Sequence, residues 1–180
     1  MTTIDTLSLG RSVQAFFGDY MTTQRDLSPS TLLSYRDSMK LFLTFAARYC
    51  GKKVANLSFQ DVGPDTVLAF LEHLEIVRGN SARTRNARLS TLHTFFEYVA
   101  AHEPQVLEMC QRIAAIPTKR TARKPVAYLE YDEAIGILSN IDRSSSIGRR
   151  DYLLIRMLFE TGARAQEMAD IRIPAIRFSR

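Results

Sequence analysis

"LSPSTLLSYRDSMKLFLTFA" runs from Leu27 to Ala46 and reads as a helix with a marked beginning. Ser28 has the short oxygen that an N-cap needs. Pro29 fits the first helical position, where its missing N–H costs nothing and its φ is already helical. Leu32, Tyr35, Met39, Phe42, Leu43 and Ala46 then recur at helical spacing along one face. Gly51 supplies the stop, because glycine enters the left-handed conformation of a helix C-terminus without strain. An apolar face of that length must be buried by neighbours, so the flanking segments decide the architecture.

Those segments are also helical in pattern. Leu9, Val13, Phe16, Phe17 and Tyr20 form one stripe. Gly63-Pro64-Asp65 opens another helix, with Val67, Leu68, Leu71 and Leu74, which Gly79 ends. A fourth is expected from Ser81 to Ala101 around Leu89, Leu92, Phe95, Phe96 and Val99, and a shorter fifth from Gln105 to Ala115. No strand alternation and no internal repeat is evident, so the fold class is all-α, with residues 1–115 as a helical bundle. "IPTKRTARKPVAY" (Ile116–Tyr128) then has two prolines, four basic residues and little apolar content. Residues 116–126 are expected to be an extended basic linker, with a second unit over 127–180. In that unit Glu130, Asp132 and Glu133 crowd the first turn of a helix bearing Ala134, Ile137 and Leu138, as the helix dipole favours. "NIDRSSSIGRRD" (Asn140–Asp151) reads as a polar loop, and Asp151 as the start of a helix that Gly162 stops. A short helix with Glu167, Met168 and Ile171 follows, and Pro174 interrupts the last residues.

With 180 residues, 46% of them hydrophobic, the chain can bury a core. No apolar run approaches the length of a membrane span, and the first residues lack the basic and apolar regions of a signal peptide. A cytoplasmic protein is expected. Cys50 and Cys110 lie far apart among apolar residues and read as reduced buried thiols. His73, His93 and His102 show no ligand spacing with each other or with the cysteines, so neither a metal nor a cofactor is expected.

The net charge is +5, and its distribution is more telling than its size. Ile76–Phe96 and Met109–Leu129 contain no Asp or Glu, yet the first holds Arg78, Arg83, Arg85 and Arg88 and the second Arg112, Lys119, Arg120, Arg123 and Lys124. Such stretches suit a polyanion. The fourth helix carries Arg83, Asn86, Ser90, Thr91, His93 and Thr94 away from its main stripe, compact groups that can reach base edges and phosphates. Candidate DNA contacts are Arg83, Arg85, Arg88 and His93 there, and Arg36 and Lys40 on the second helix. Arg78, Lys119, Arg120, Arg123 and Lys124 are candidates for phosphate contacts.

"LFETGARAQEMADI" (Leu158–Ile171) poses a separate question. Arg164 stands where a new helix begins, against the dipole. It needs a carboxylate such as Glu167, three residues on, or an anion from outside.

"RDYLLIRMLFETGARAQEMADIRIPAI" (Arg150–Ile176) resembles the first conserved box of the tyrosine recombinases, the phage-integrase and Xer-type site-specific DNA recombinases. Thr161, Gly162, Arg164, Glu167, Met168 and Ile171 stand where that pattern has T-G-x-R-x-x-E-[LM] and an apolar residue three positions later. "YLEYDEAIGILSNID" (Tyr128–Asp142) resembles the acidic-start helix that opens the family's catalytic domain. The Leu27–Ala46 segment and "RTRNARLSTLHTFFEYVA" (Arg83–Ala100) resemble two helices of its core-binding domain. The resemblance implies a SAM-like helical core-binding domain followed by the start of a mixed α/β catalytic domain. It implies duplex DNA as partner, with Arg164 on the scissile phosphate and Glu167 in support. The family's tetramer on DNA further implies other recombinase protomers as partners. The family's lysine on a β-hairpin, its H-x-x-R box, its second His or Trp and its nucleophilic tyrosine all follow this first box. No H-x-x-R occurs here, and none of the tyrosines stands in the nucleophile's place. The chain is therefore expected to be a truncated, monomeric fragment that binds DNA without cleaving it. Two other readings stay open: a DNA-binding regulator that occupies recombination sites without strand exchange, and a helical protein-interaction module.

Overall fold

The computed structural model describes residues 8–24, 27–122 and 127–172. Among these the architecture is all-α, and the chain divides after Ala122 into two compact units. Unit 1 contains α1 (Leu9–Ala15), a π-helical continuation (Phe16–Gln24), α2 (Pro29–Tyr49), α3 (Pro64–Ile76), α4 (Ala82–His102) and α5 (Leu107–Ala114). Short 3-10 turns at Val54–Asn56, Phe59–Val62 and Pro104–Val106 join them.

The helix boundaries follow local chemistry. Ser8, Ser28 and Ser81 cap α1, α2 and α4, each accepting from the backbone N–H three residues on. Gly51 and Gly79 adopt φ of 65° and 63° just beyond α2 and α3. The first stripe ends differently from a plain α-helix. From Phe16 the winding loosens to i→i+5 bonds, which bring residues five apart towards one side, and Phe16 and Met21 are both fully buried.

The core of unit 1 is aromatic. Phe16, Phe42, Phe70, Phe95 and Phe96 are almost completely buried. Phe16 meets Phe95 edge-on at 5.3 Å between ring centroids, and Phe42 meets Phe70 at the same distance. Helix α4 packs against α2, α3 and α5. Cys110 is buried and its thiol is pushed up to about 11 by desolvation.

The segment expected to be linker from Ile116 onward does not leave the unit there. Ile116 is buried in the core, and Pro117 and Lys119 are hydrogen-bonded to α4. Arg123 and Lys124 lie outside the described residues.

Unit 2 contains α6 (Tyr131–Ser139), α7 (Ser146–Thr161) and α8 (Ala165–Ala169). Glu133 reaches back 2.9 Å to the Glu130 backbone N–H at the start of α6. Helix α7 begins at Ser146, inside the stretch read as loop, because the Ser145 hydroxyl accepts from the Gly148 N–H at 3.0 Å. A Cβ on Gly148 would overlap the Asp142 carbonyl, so the glycine lets the preceding loop close over the first turn.

Two outcomes test this description. Phe42→Ala should destabilise unit 1 by about 3–5 kcal/mol in chemical denaturation, the usual range for emptying an aromatic site in a packed core. Asp61 accepts from Lys52 Nζ at 2.7 Å and from the Ser58 N–H at 2.8 Å, and these partners hold its carboxyl down to about 2. A depressed folded-state pKa gives stability that is present above the unfolded value, near 4, and is lost as pH falls towards 2. Asp61→Asn should flatten acid unfolding in that window.

Candidate nucleic-acid interface and the Arg164 turn

The apolar stripe of α4 fixes what its other side presents. Leu89, Leu92, Phe96 and Val99 face the core, so Arg83, Ala87 and Ser90 lie exposed one turn apart, followed by half-buried Thr94. Glu97 is the first carboxylate along that stripe. Arg83 makes no side-chain bond among the described residues. Small neutral groups after it let another surface approach the helix closely.

The other basic candidates divide. Arg88 is half-buried and bridges to α2, its Nη1 donating to Ser38 Oγ at 2.6 Å and more weakly to the Ser34 carbonyl at 3.5 Å. Arg36 and Lys40 are exposed, but each stands two residues from Ser34 or Ser38 and so on nearly the opposite flank of α2. There they border a concavity floored by Val13, Phe17 and Leu43. Arg78 is exposed in the α3–α4 turn and Arg120 is exposed beyond α5.

Three candidates are engaged by partners within unit 1. Arg85, two residues from Arg83, falls on the buried side of α4 with 5% exposure. Its Nη1 donates to the Pro117 carbonyl at 3.2 Å and to Asn86 Oδ1 at 3.1 Å. Its Nε lies 3.9 Å from Glu75, close enough for charge attraction but without a hydrogen bond. It is a core cation whose guanidinium is engaged inside unit 1. His93 is similarly engaged, its Nε2 lying 3.1 Å from the Ile113 carbonyl. Lys119 keeps an exposed stem, but its Nζ is 2.7 Å from Glu75. The partners Asn86 and Glu75 had no short-range signal of this role, since they stand far from residue 119 in sequence.

In unit 2, Gly162 takes φ 65° and closes α7 with its N–H on the Leu158 carbonyl at 3.0 Å. Thr161 Oγ1 accepts from the Ala163 N–H at 3.3 Å. This turn delivers Arg164 to the N-cap of α8. Glu167 answers it twice, accepting from the Arg164 N–H and from its Nη1, both at 2.8 Å. The Arg164 side chain remains 85% exposed. Its other guanidinium nitrogens make no bond among the described residues. The two donors lower the Glu167 carboxyl, the backbone N–H more than the guanidinium.

Residues 13–103 match the family described as phage integrase, N-terminal SAM-like domain. The chain belongs to the tyrosine recombinase family. It is 37% identical over 165 residues to integrase/recombinase y4rC of Sinorhizobium fredii, covering 92% of this chain and 50% of that relative. Identity to y4rD of the same organism is 34%, covering 97% of this chain and 62% of that protein. Identity to tyrosine recombinase XerC of Anoxybacillus flavithermus is 28%, covering 91% and 51%. The chain thus spans about half to three-fifths of the length of these relatives. No solved structure matches it. The matched SAM-like region includes α2 and α4 in full, so the exposed stripe of α4 belongs to the recombinase domain itself. No group of metal-ligating side chains occurs among the described residues, and no described helix is long and apolar enough to cross a membrane.

The order of the two causes at Glu167 gives a measurable outcome. Arg164→Ala removes the guanidinium and keeps the backbone donor. A carbon-detected NMR titration should find the Glu167 midpoint shifted upward in the variant, yet still below that of an unpaired glutamate. A full return to the unpaired value would show that the backbone bond contributes nothing.

Proposed function

We propose that this chain is the DNA-binding portion of a site-specific tyrosine recombinase. Unit 1 acts as the core-binding domain and unit 2 as the beginning of the catalytic domain. The observation that carries this reading is the outer stripe of α4, where Arg83 is followed by Ala87, Ser90 and Thr94 inside an acid-free segment. A helix with short polar side chains fits a major groove, and flanking guanidinium groups fit the phosphates beside it. Arg83, Arg88, Arg78 and Arg120 form the cationic surround. Arg36 and Lys40 belong to a separate patch, so a duplex lying on α4 is held without them.

Arg164 has a distinct role in this reading. A guanidinium is planar, permanently charged and able to donate to two phosphate oxygens. When a tyrosine hydroxyl attacks a phosphodiester, charge builds on the non-bridging oxygens, and a preplaced cation stabilises that state more than the ground state. Glu167 occupies one nitrogen and fixes the side chain at the turn. The 180-residue chain binds duplex DNA but, holding no tyrosine that matches the family's nucleophile, forms no covalent adduct with it. In a longer protein that carries these residues with that tyrosine, other protomers of the recombinase assemble beside it on DNA.

Duplex binding measured across a salt series tests the reading. The unsubstituted chain should bind with an affinity that falls linearly on log–log axes. Arg83→Ala together with Arg120→Ala should weaken binding and reduce the slope by roughly two, at about 0.9 for each phosphate left without its cation. An unchanged slope would place DNA on a different face. In the longer protein, Arg164→Ala should keep site binding and lower strand cleavage at least about a hundredfold.

A further inference from the structure

The root of the basic segment is gripped by side chains that the outer stripe of α4 does not use. Ile116 is sunk in the core. Arg85 donates to the Pro117 carbonyl. Its neighbour Asn86 takes the backbone of Lys119 from both sides, with Nδ2 donating to the carbonyl at 2.7 Å and Oδ1 accepting from the N–H at 3.0 Å. The Lys119 side chain turns to α3, where Nζ lies 2.7 and 3.0 Å from the two Glu75 oxygens. A side-chain amide that both donates to and accepts from one residue's backbone imitates the pairing of adjacent strands. It fixes the direction of the segment as well as its position. Nothing in the composition of Pro117–Ala122, which is polar and basic, would order it unaided.

We propose that Asn86 is a positioning residue for DNA binding. With Arg85 and Glu75 it clamps the start of the interdomain segment onto α4. Arg120 then follows the residue held by Asn86, which itself stands one helical turn from Arg83 on α4, and both cations address one duplex backbone. The inference rests on the DNA-binding reading above. It also reassigns Lys119, whose ammonium is held by Glu75 and serves to anchor the segment instead of meeting a phosphate. A segment already ordered in the free protein gives up less conformational freedom when DNA binds. Asn86 reads no base in this arrangement, because Nδ2 and Oδ1 are both committed to Lys119.

The test uses the whole 180-residue chain and a short fluorescent duplex of mixed sequence, on which a base-reading side chain contributes nothing. Hydrogen exchange at the Lys119 amide is followed in the free chain, and duplex binding is measured across a salt series. Asn86→Ala should speed exchange at Lys119 and weaken duplex binding, each on the order of tenfold. Its log–log salt slope should be unchanged, since every phosphate keeps its cation. Alanine favours the helix at this half-exposed position but takes an acceptor from buried Arg85, so exchange and binding are compared at a temperature where far-UV circular dichroism shows the variant fully helical. Lys119→Met should likewise leave the slope unchanged, whereas Arg83→Ala lowers it. Unchanged exchange at Lys119 in Asn86→Ala overturns the inference, as does a freed amide with unaltered affinity. A slope reduced by about one in either variant overturns it too, by making that residue a direct phosphate contact. Failure of the unsubstituted chain to bind the duplex overturns the proposed function and this inference together; the other outcomes overturn the inference alone.

Discussion

The burial of one side of α4 is the constraint on which the rest of unit 1 depends. Leu89, Leu92, Phe95, Phe96 and Val99 are at most 1% exposed, and three other helices close over them. That burial fixes the rotation of the helix, and rotation decides the fate of every other residue on it. Arg83 and Ser90 come out into solvent. Arg85 is carried inside and must find acceptors there, because an unpaired buried charge costs several kcal/mol. It finds a carbonyl of the segment leaving α5, with Glu75 nearby. The same stripe therefore produces both an exposed cationic face and a buried cation that ties down the chain's next segment.

Much of this is legible from local sequence, and the rest has identifiable reasons for staying hidden. The caps at Ser28 and Ser81 and the stops at Gly51 and Gly79 in unit 1, like the stop at Gly162 in unit 2, are contained within a few residues, so these helix ends can be drawn from the sequence. The start of α7 stays hidden because serine and glycine read as loop formers, when Ser145 is a cap and Gly148 makes room for a carbonyl. Arg85 is separable from Arg83, since it stands four residues before Leu89 and falls on the apolar stripe. Counting charges along the segment ignores that phase. The docking of Lys119 is out of reach: its partners stand 33 and 44 residues away, and no short pattern announces them.

A basic segment resting on a basic domain needs an explanation, because like charges repel. The grip on residues 117–119 combines two neutral amide bonds from Asn86, a bond from the buried Arg85 guanidinium to a backbone carbonyl, and the Lys119–Glu75 ion pair, and only the last is open to screening by salt. A single carboxylate, Glu75, stands between Arg85 and Lys119 and offsets their mutual repulsion. Contacts between exposed guanidinium groups and phosphate are strongly screened by salt. The structure thus separates two kinds of interaction in one small region. Apart from the Lys119–Glu75 pair, what holds the segment is largely independent of ionic strength, and what the segment offers to a polyanion depends on it.

The Arg164 turn resolves the question its sequence raised without making the two answers exclusive. An arginine at a helix start is opposed by the dipole, and Glu167 relieves that opposition by bonding both the backbone N–H and one guanidinium nitrogen. Had the carboxylate taken the guanidinium in a two-pronged grip, the cation would have been consumed. It takes only Nη1, because its other oxygen is already held by the backbone three residues back. The capping geometry therefore restricts Glu167 to a partial grip, and the restriction leaves the remaining edge of an 85% exposed side chain facing solvent. In this turn a structural ion pair leaves its cation an edge still open to an anion from outside, and the division of the carboxylate between backbone and side chain is what allows both.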